Sequence, residues 1–238
     1  MGFLKHLHPR LAAHRGWTRT HGENTLAALQ EACHQGCAAV EFDVRSTRDH
    51  HWVVYHDTHL QRLHSRPERL ADLSLSELRS LAPIPTLPEA LEIFAPFSCR
   101  AIIEVKPAEP VGLEELARSL EPAARRLPIS LLARGPQMPE ALCSRFPTLP
   151  VFLYTRVWQE ARQRLAEPLA GFNLPYQTVA AEEACSQLAA LRAAGKRVGI
   201  HTINDPAECA LWLSYGADWV TTDCPWLMAL GDGDATAT

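Results

Sequence analysis

No stretch of this chain approaches the ~20 consecutive apolar residues a membrane-spanning helix needs, so a helical membrane span is not expected. A basic excess is missing as well. The chain has 23 Lys and Arg against 27 Asp and Glu, a formal net charge of -4, which points away from nucleic acid or an anionic membrane surface as a partner. Met1–Arg10 carries Lys5, His6 and His8 but no apolar leader core, and the expectation is a soluble, unexported, cytoplasmic protein. No Gly-x-Gly-x-x-Gly follows an early strand-like run, which counts against a dinucleotide-binding open sheet. The seven cysteines are odd in number and lack small-domain spacing, so they read as mostly reduced, buried thiols rather than a disulfide framework. Cys33-His34-Gln35-Gly36-Cys37 has no second ligand pair, and thiol packing outweighs a zinc site there. Internal repeats, low-complexity blocks and linkers of domain-boundary quality are also lacking.

What is present is a chain of 238 residues, 47% hydrophobic and 21% charged, an ordinary globular mix near the ~250 residues of one α/β barrel. Short β-like runs occur at Leu11–His14, Ala39–Val44, Trp52–His56, Ala101–Lys106, Ile129–Ala133, Val151–Tyr154, Gly171–Leu174, Arg197–Thr202 and Asp218–Thr222. Amphipathic helical patterns separate most of them. Asn24–Gln35 places Leu26, Leu29 and Cys33 on one face and stops at Gly36; Leu113–Leu127 and Ala180–Ala194 behave alike, and a short helix is expected over Glu89–Phe94. Strand–helix alternation implies a parallel sheet with right-handed crossovers. Eight or nine strands in so short a chain favour a closed (β/α)8 TIM barrel. It is expected as a single domain over residues 1–230, with a small, polar, flexible tail at 231–238.

Chemistry concentrates between His14 and Asp57. Alternate strand residues share a face, so Val40, Phe42 and Val44 face the helices while Glu41 and Asp43 point into the barrel, near the strand ends where barrel enzymes place their sites. Two inward carboxylates repel one another, and burying an unpaired charge is costly. A divalent cation resolves both problems, and oxygen-only ligands select a hard ion, Mg2+ or Ca2+. The same alternation puts Glu104 and Lys106 on one face, a third carboxylate with a cation beside it. His14 and His56 each end a strand-like run and flank the carboxylate pair, as a proton donor and acceptor would. Arg15 offers a planar fork of donors to phosphate oxygens. Asp57 either orients the imidazole of His56 or caps the following turn.

His14-Arg15-Gly16, Glu23-Asn24-Thr25, Glu41-x-Asp43, Thr47-x-Asp49, His56-Asp57 and Glu104-x-Lys106 follow in order. Pro85-Thr86-Leu87, His201-Thr202-Ile203-Asn204, Gly216-Ala217-Asp218 and Thr222-Asp223-Cys224-Pro225 come after. Together they resemble the signature of the glycerophosphodiester phosphodiesterase family across almost the whole chain. The resemblance implies a TIM-barrel hydrolase that cleaves glycerophosphodiesters to glycerol 3-phosphate and an alcohol with one divalent cation. By position, Glu41, Asp43 and Glu104 hold the metal, His14 and His56 form the acid/base pair, and Arg15 and Lys106 bind phosphate oxygens. Which histidine is acid and which is base stays open, as do the leaving alcohol and the oligomeric state. Rival readings are a lysophospholipase D and a non-catalytic phosphate- or lipid-binding barrel.

The chain departs from the family pattern at several positions. Gly22 replaces the usual proline, and His50 replaces a glycine at a turn that calls for φ > 0. His201 stands where the family's strand usually carries a substrate-facing tryptophan, and Ala133-Arg134 replaces a Ser-Phe type pair. Both changes bear on the substrate pocket. The short link at Pro83 implies an open mouth, where the family often has a longer insertion. Trp17 either lines that mouth or packs in the core.

Overall fold

The structure, a computed structural model, describes residues 7–106, 112–135 and 137–228. The expected tail at 231–238, and His6 with Lys5, lie outside them. The strands are β1 (Leu11–His14), β2 (Ala39–Ser46), β3 (Trp52–Val54), β4 (Arg100–Val105), β5 (Ile129–Ala133), β6 (Val151–Tyr154), β7 (Gly171–Pro175), β8 (Arg197–His201) and β9 (Trp219–Thr222). They hydrogen-bond in the order β1-β9-β8-β7-β6-β5-β4-β2-β3, and a further β1–β2 pairing closes the ring. Every pair around the ring is parallel, so the expected (β/α)8 barrel is the fold.

β3 is the exception. The run Trp52–His56 was expected as one more strand of a parallel sheet, but it ends at Val54 and pairs antiparallel with β2, Val44 opposite Val54. The reason is length. The connection 47–51 is too short for the crossover a parallel neighbour requires, so the chain folds back as a hairpin. That turn carries His50 at φ 64, the positive φ expected there.

The described helices are α1 (Leu26–His34), α2 (Gln61–His64), α3 (Leu75–Leu81), α4 (Leu87–Phe94), α5 (Leu113–Ala124), α6 (Met138–Arg145), α7 (Trp158–Gln163), α8 (Ala181–Ala193) and α9 (Pro206–Ser214), with short 3-10 turns at Leu70–Asp72, Tyr176–Thr178 and Pro225–Leu227. Their starts follow local chemistry. Thr25 caps α1 by accepting from the Ala28 amide, and Thr86 with Glu89 forms a reciprocal capping box on α4. The outward strand residues Val40, Phe42 and Val44 pack with Leu29, Leu87 and Phe94 in the main core. A smaller cluster of Ala12, Ala39, Ile102, Leu132 and Phe152 fills the barrel axis. There the Trp219 indole lies so close to Gly199 that a Cβ would sit 2.1 Å from it.

Apolar side chains thus plug the lower barrel, and polar ones crown it. The seven cysteines are all free; Cys33, Cys37, Cys99 and Cys209 are buried, whereas Cys185 is exposed.

Candidate active site

Parallel register brings the acids together. Asp43 lies opposite Glu104 across β2 and β4, and His14 lies opposite Glu41 across β1 and β2. Glu41, Asp43 and Glu104 are each at least 96% buried, and one carboxylate oxygen from each falls within 4.8 Å of the others. The Lys106 ammonium bridges two of them, 2.8 Å from Asp43 Oδ1 and 2.6 Å from Glu104 Oε1. Arg15 Nε stands 3.2 Å from Asp43 Oδ2.

The loop after β1 is built for this approach. Arg15 and Gly16 both take positive φ, 58 and 89, and a Cβ on Gly16 would meet the Ala28 carbonyl carbon at 2.6 Å. Glycine therefore lets the loop lie against α1 while Arg15 turns back toward the acids. Asn24, also at φ 58, donates from Nδ2 to Asp43 Oδ2 at 2.9 Å and accepts from the Asp43 amide at 3.2 Å.

The two histidines share one device. His14 Nδ1 lies 2.5 Å from Asp223 Oδ1, and His56 Nδ1 lies 2.7 Å from Asp57 Oδ1. A carboxylate on Nδ1 fixes the ring and leaves Nε2 as the acting atom. His14 Nε2 faces Glu41 Oε2 at 3.7 Å. Asp57 therefore contacts the imidazole, and Arg62 ties it on to Glu23: Arg62 Nε donates to Asp57 at 2.6 Å, and its terminal nitrogens reach Glu23 at 2.6 and 2.9 Å. Glu23 in turn accepts from Arg15 at 2.9 Å. Asp223 is held from its other side by Asn204 Nδ2 at 2.8 Å.

Electrostatics separates the acids. Burial, then the neighbouring Asp43 charge, pushes the Glu41 carboxyl up to about 8. Burial acts against Asp43 too, but Lys106 and Arg15 overcome it and hold Asp43 down at about 2. Burial also opposes a charged His14, yet the Asp223 hydrogen bond and the Glu41 charge raise its pKa. Burial lowers that of His56.

His201, the substrate-side residue expected from sequence, packs against Tyr154 with 4.2 Å between ring centroids and the planes tilted by 35°. On Tyr154 also lies the Arg134 guanidinium, 3.5 Å from the ring centre, with Nε donating to Glu104 Oε1 at 2.9 Å. Burial, then Arg134, pushes His201 down to about 3, so it is a neutral ring near neutral pH. Trp17 is 7% exposed and packs edge-on against Trp226, which decides for core packing.

The structure thus gathers His14, His56, Glu41, Asp43, Glu104, Arg15 and Lys106 at the C-terminal mouth, with His201 one stacked ring away. Sequence reasoning gave no role to Asp223, Asn24, Glu23, Arg62 or Asn204. Asp223, Asn24, Glu23 and Asn204 stand within motifs singled out above, but only the fold shows what they touch.

The donor set fits a divalent cation. Glu41 Oε2 is buried without a hydrogen-bond partner, and three oxygen donors converge around one point. A closed barrel whose mouth sets such an acid cluster between two carboxylate-anchored histidines, with cations alongside, offers the groups that phosphoryl chemistry calls on. The chain belongs to the glycerophosphoryl diester phosphodiesterase family, whose family model matches residues 14–227.

Matches to curated relatives are local. Glycerophosphodiester phosphodiesterase 1 of Bos taurus is 38% identical over 93 residues, 33% of this chain and 28% of the relative. Glycerophosphodiester phosphodiesterase of Caldanaerobacter subterraneus is 33% identical over 106 residues, 40% of this chain and 44% of the relative. The chain therefore spans less than half the length of these relatives. The structural likeness is global. A phosphodiesterase of Oleispira antarctica, solved with the product sn-glycerol-3-phosphate, superposes with a TM-score of 0.80 at 27% identity, covering 92% of this chain and 95% of that one.

Proposed function

We propose that this protein is a metal-dependent hydrolase that cleaves glycerophosphodiesters to glycerol 3-phosphate and an alcohol. The observation that carries the reading is the buried acid triad lying between two histidines, each fixed through Nδ1 by its own aspartate. The product bound to the Oleispira antarctica phosphodiesterase supports the same product class here.

In this reading Glu41, Asp43 and Glu104 hold one Mg2+ or Ca2+. When bound, the cation supplies positive charge against the charge that builds on the phosphoryl oxygens. Arg15 and Lys106 bind the non-bridging oxygens and strengthen their hold as that charge grows. One histidine takes a proton at Nε2 from the nucleophile, either water or the substrate's own neighbouring hydroxyl. The other gives a proton from Nε2 to the leaving alkoxide. Asp223 and Asp57 keep both rings in the required tautomer.

Among the described residues no helix is long and apolar enough to cross a membrane. Free cysteines throughout suit a reducing compartment, which supports the cytoplasm as the location.

The deciding assay is glycerol 3-phosphate release from a panel of glycerophosphodiesters plus one lysophospholipid, with chelator and then metal add-back. Release that is lost with chelator and restored by Mg2+ or Ca2+ is expected. No release from any glycerophosphodiester by folded, metal-supplied protein would sink the reading, and release from the lysophospholipid alone would reassign it.

Two narrower outcomes follow from the geometry. Asp223→Asn removes the anion that orients His14, so kcat is expected to drop roughly 10–100-fold, the usual cost of losing such an orienting partner, with KM little changed. A drop in kcat/KM that resides wholly in KM would contradict this role. Arg134 adds a fixed cation at the rim, which opposes a quaternary ammonium arm. Glycerophosphocholine is therefore expected to have a kcat/KM about tenfold below that of glycerophosphoglycerol. Arg134→Gln should narrow that ratio, and an unchanged ratio would remove Arg134 from substrate selection.

A further inference from the structure

The opposite end of the barrel holds positive charge that the proposed reaction does not use. Arg10 immediately precedes β1, Arg100 opens β4 and Arg197 opens β8. These strands stand at separate stations of the ring, yet all three arginines line one cavity of about 200 Å3 at the strands' N-terminal ends. Their polar contacts are sparse. Arg10 Nη1 donates to the Ala217 carbonyl at 2.8 Å, Arg100 Nη1 donates to Ser130 Oγ at 3.3 Å, and Arg197 lies 4.9 Å from the centre of the Phe152 ring.

None of the three forms an ion pair among the described residues, whereas Arg62 and Arg145 each hold two carboxylates. Asp218, the carboxylate in the cavity wall, is engaged elsewhere. Its Oδ1 takes Arg192 at 3.1 Å and its Oδ2 accepts from the Val198 amide at 2.7 Å. The Trp219 indole also borders the cavity, and its Nε1 donor is buried without a partner. Burial, with the Arg197 charge added, lowers the pKa of Arg100. Like charges therefore converge on a recess that offers donors and almost no acceptors, an arrangement that an anion relieves.

We propose that this cavity binds a small free oxyanion of the phosphate class, held by Arg10, Arg100 and Arg197 with Ser130 and Trp219 Nε1 as neutral donors. The donor set suits a tetrahedral anion with several oxygens. The site is independent of the reaction proposed at the other end of the barrel.

The test must silence the phosphate-binding cations of the mouth. In an Arg15→Gln/Lys106→Gln background shown by circular dichroism to keep the parent's fold, or in Arg15→Gln alone if the double variant does not, calorimetric titration of the full chain with inorganic phosphate is expected to give saturable binding that chloride at matched ionic strength does not reproduce. Adding Arg197→Gln should weaken it at least about tenfold, the scale of one lost charge-assisted hydrogen bond. Adding Arg100→Gln as well should abolish it. Arg197 is exposed, so the first substitution leaves the fold intact, as circular dichroism would verify. Arg118→Gln removes a paired surface arginine in the same background and should change nothing. The proposal is overturned if the background binds no phosphate beyond the chloride control, or if Arg197→Gln and Arg118→Gln behave alike.

Discussion

Glu41→Gln is expected to make the metal-free protein more stable and the enzyme nearly inactive. Glu41 is buried beside Asp43 and has a carboxylate oxygen without a hydrogen-bond partner. Its carboxyl is raised to about 8 by burial first and by Asp43 second, whereas an unfolded glutamate titrates near ~4.3. Between those values the folded chain holds a proton that the unfolded chain has lost. Stability of the metal-free protein therefore declines as pH rises through this window; the penalty is absent below the unfolded value and complete above about 8. Glutamine has the same shape and no charge to desolvate. A melting temperature higher by roughly 2–8 °C at pH 8 is expected, the equivalent of about 1–2 kcal/mol for a chain of this length. The variant should also lack the decline with pH and lose the stabilisation by Mg2+ or Ca2+ that the proposed metal site predicts for the parent. Activity should fall roughly 10²–10³-fold, the cost of removing one electrostatic stabiliser of a transition state. Thermal melts across pH, with and without cation, measure the first three effects. A variant that melts like the parent and still responds fully to cation would remove Glu41 from the metal site.

His14→Ala and His56→Ala should each lower kcat by ~10²–10⁴-fold, the range typical of one positioned proton-transfer group, while the thermal shift on adding cation stays close to that of the parent. Each imidazole is anchored at Nδ1 by an aspartate outside the acid triad, so Nε2 is left for chemistry. Within the triad, Lys106 and Asn24 support Asp43 and Glu104 directly, and the one close approach of a ring is His14 Nε2 to Glu41 at 3.7 Å, beyond hydrogen-bond distance. Truncation therefore removes a proton carrier and leaves the ligand set standing. A double variant no slower than either single one would mark the pair as acting in one step. Near-parent turnover in either single variant would sink the acid/base assignment.

The barrel was legible because alternation of short apolar runs with amphipathic helices has few solutions at this chain length. Most strand positions read from sequence match to within a residue or two. Trp52–His56 failed for a reason that periodicity does not encode: pairing direction depends on the length of the connection, and a hairpin turn leaves no room for a crossover. The acids were legible because Glu41-x-Asp43 and Glu104-x-Lys106 repeat the strand period in runs that are otherwise apolar. Asp223, far along the chain, carried no such sign, since nothing local to Thr222-Asp223-Cys224 says that β9 closes onto β1 and brings this carboxylate to His14. In the sequence Arg134 stands out only as a departure from the family pattern, and its stacking on Tyr154 depends on β5 and β6 lying side by side.

By itself, the sequence determined the fold class, the family and the types of group at the mouth, because these follow from local period and from short ordered motifs. Tertiary structure alone decided how those groups are charged and held. Ring closure sets Asp223 against His14, places Lys106 between two acids, and turns three arginines from distant strands onto one cavity at the far end. Burial and the distance between charges are properties of packed neighbours, and no neighbour across the barrel is adjacent in the chain.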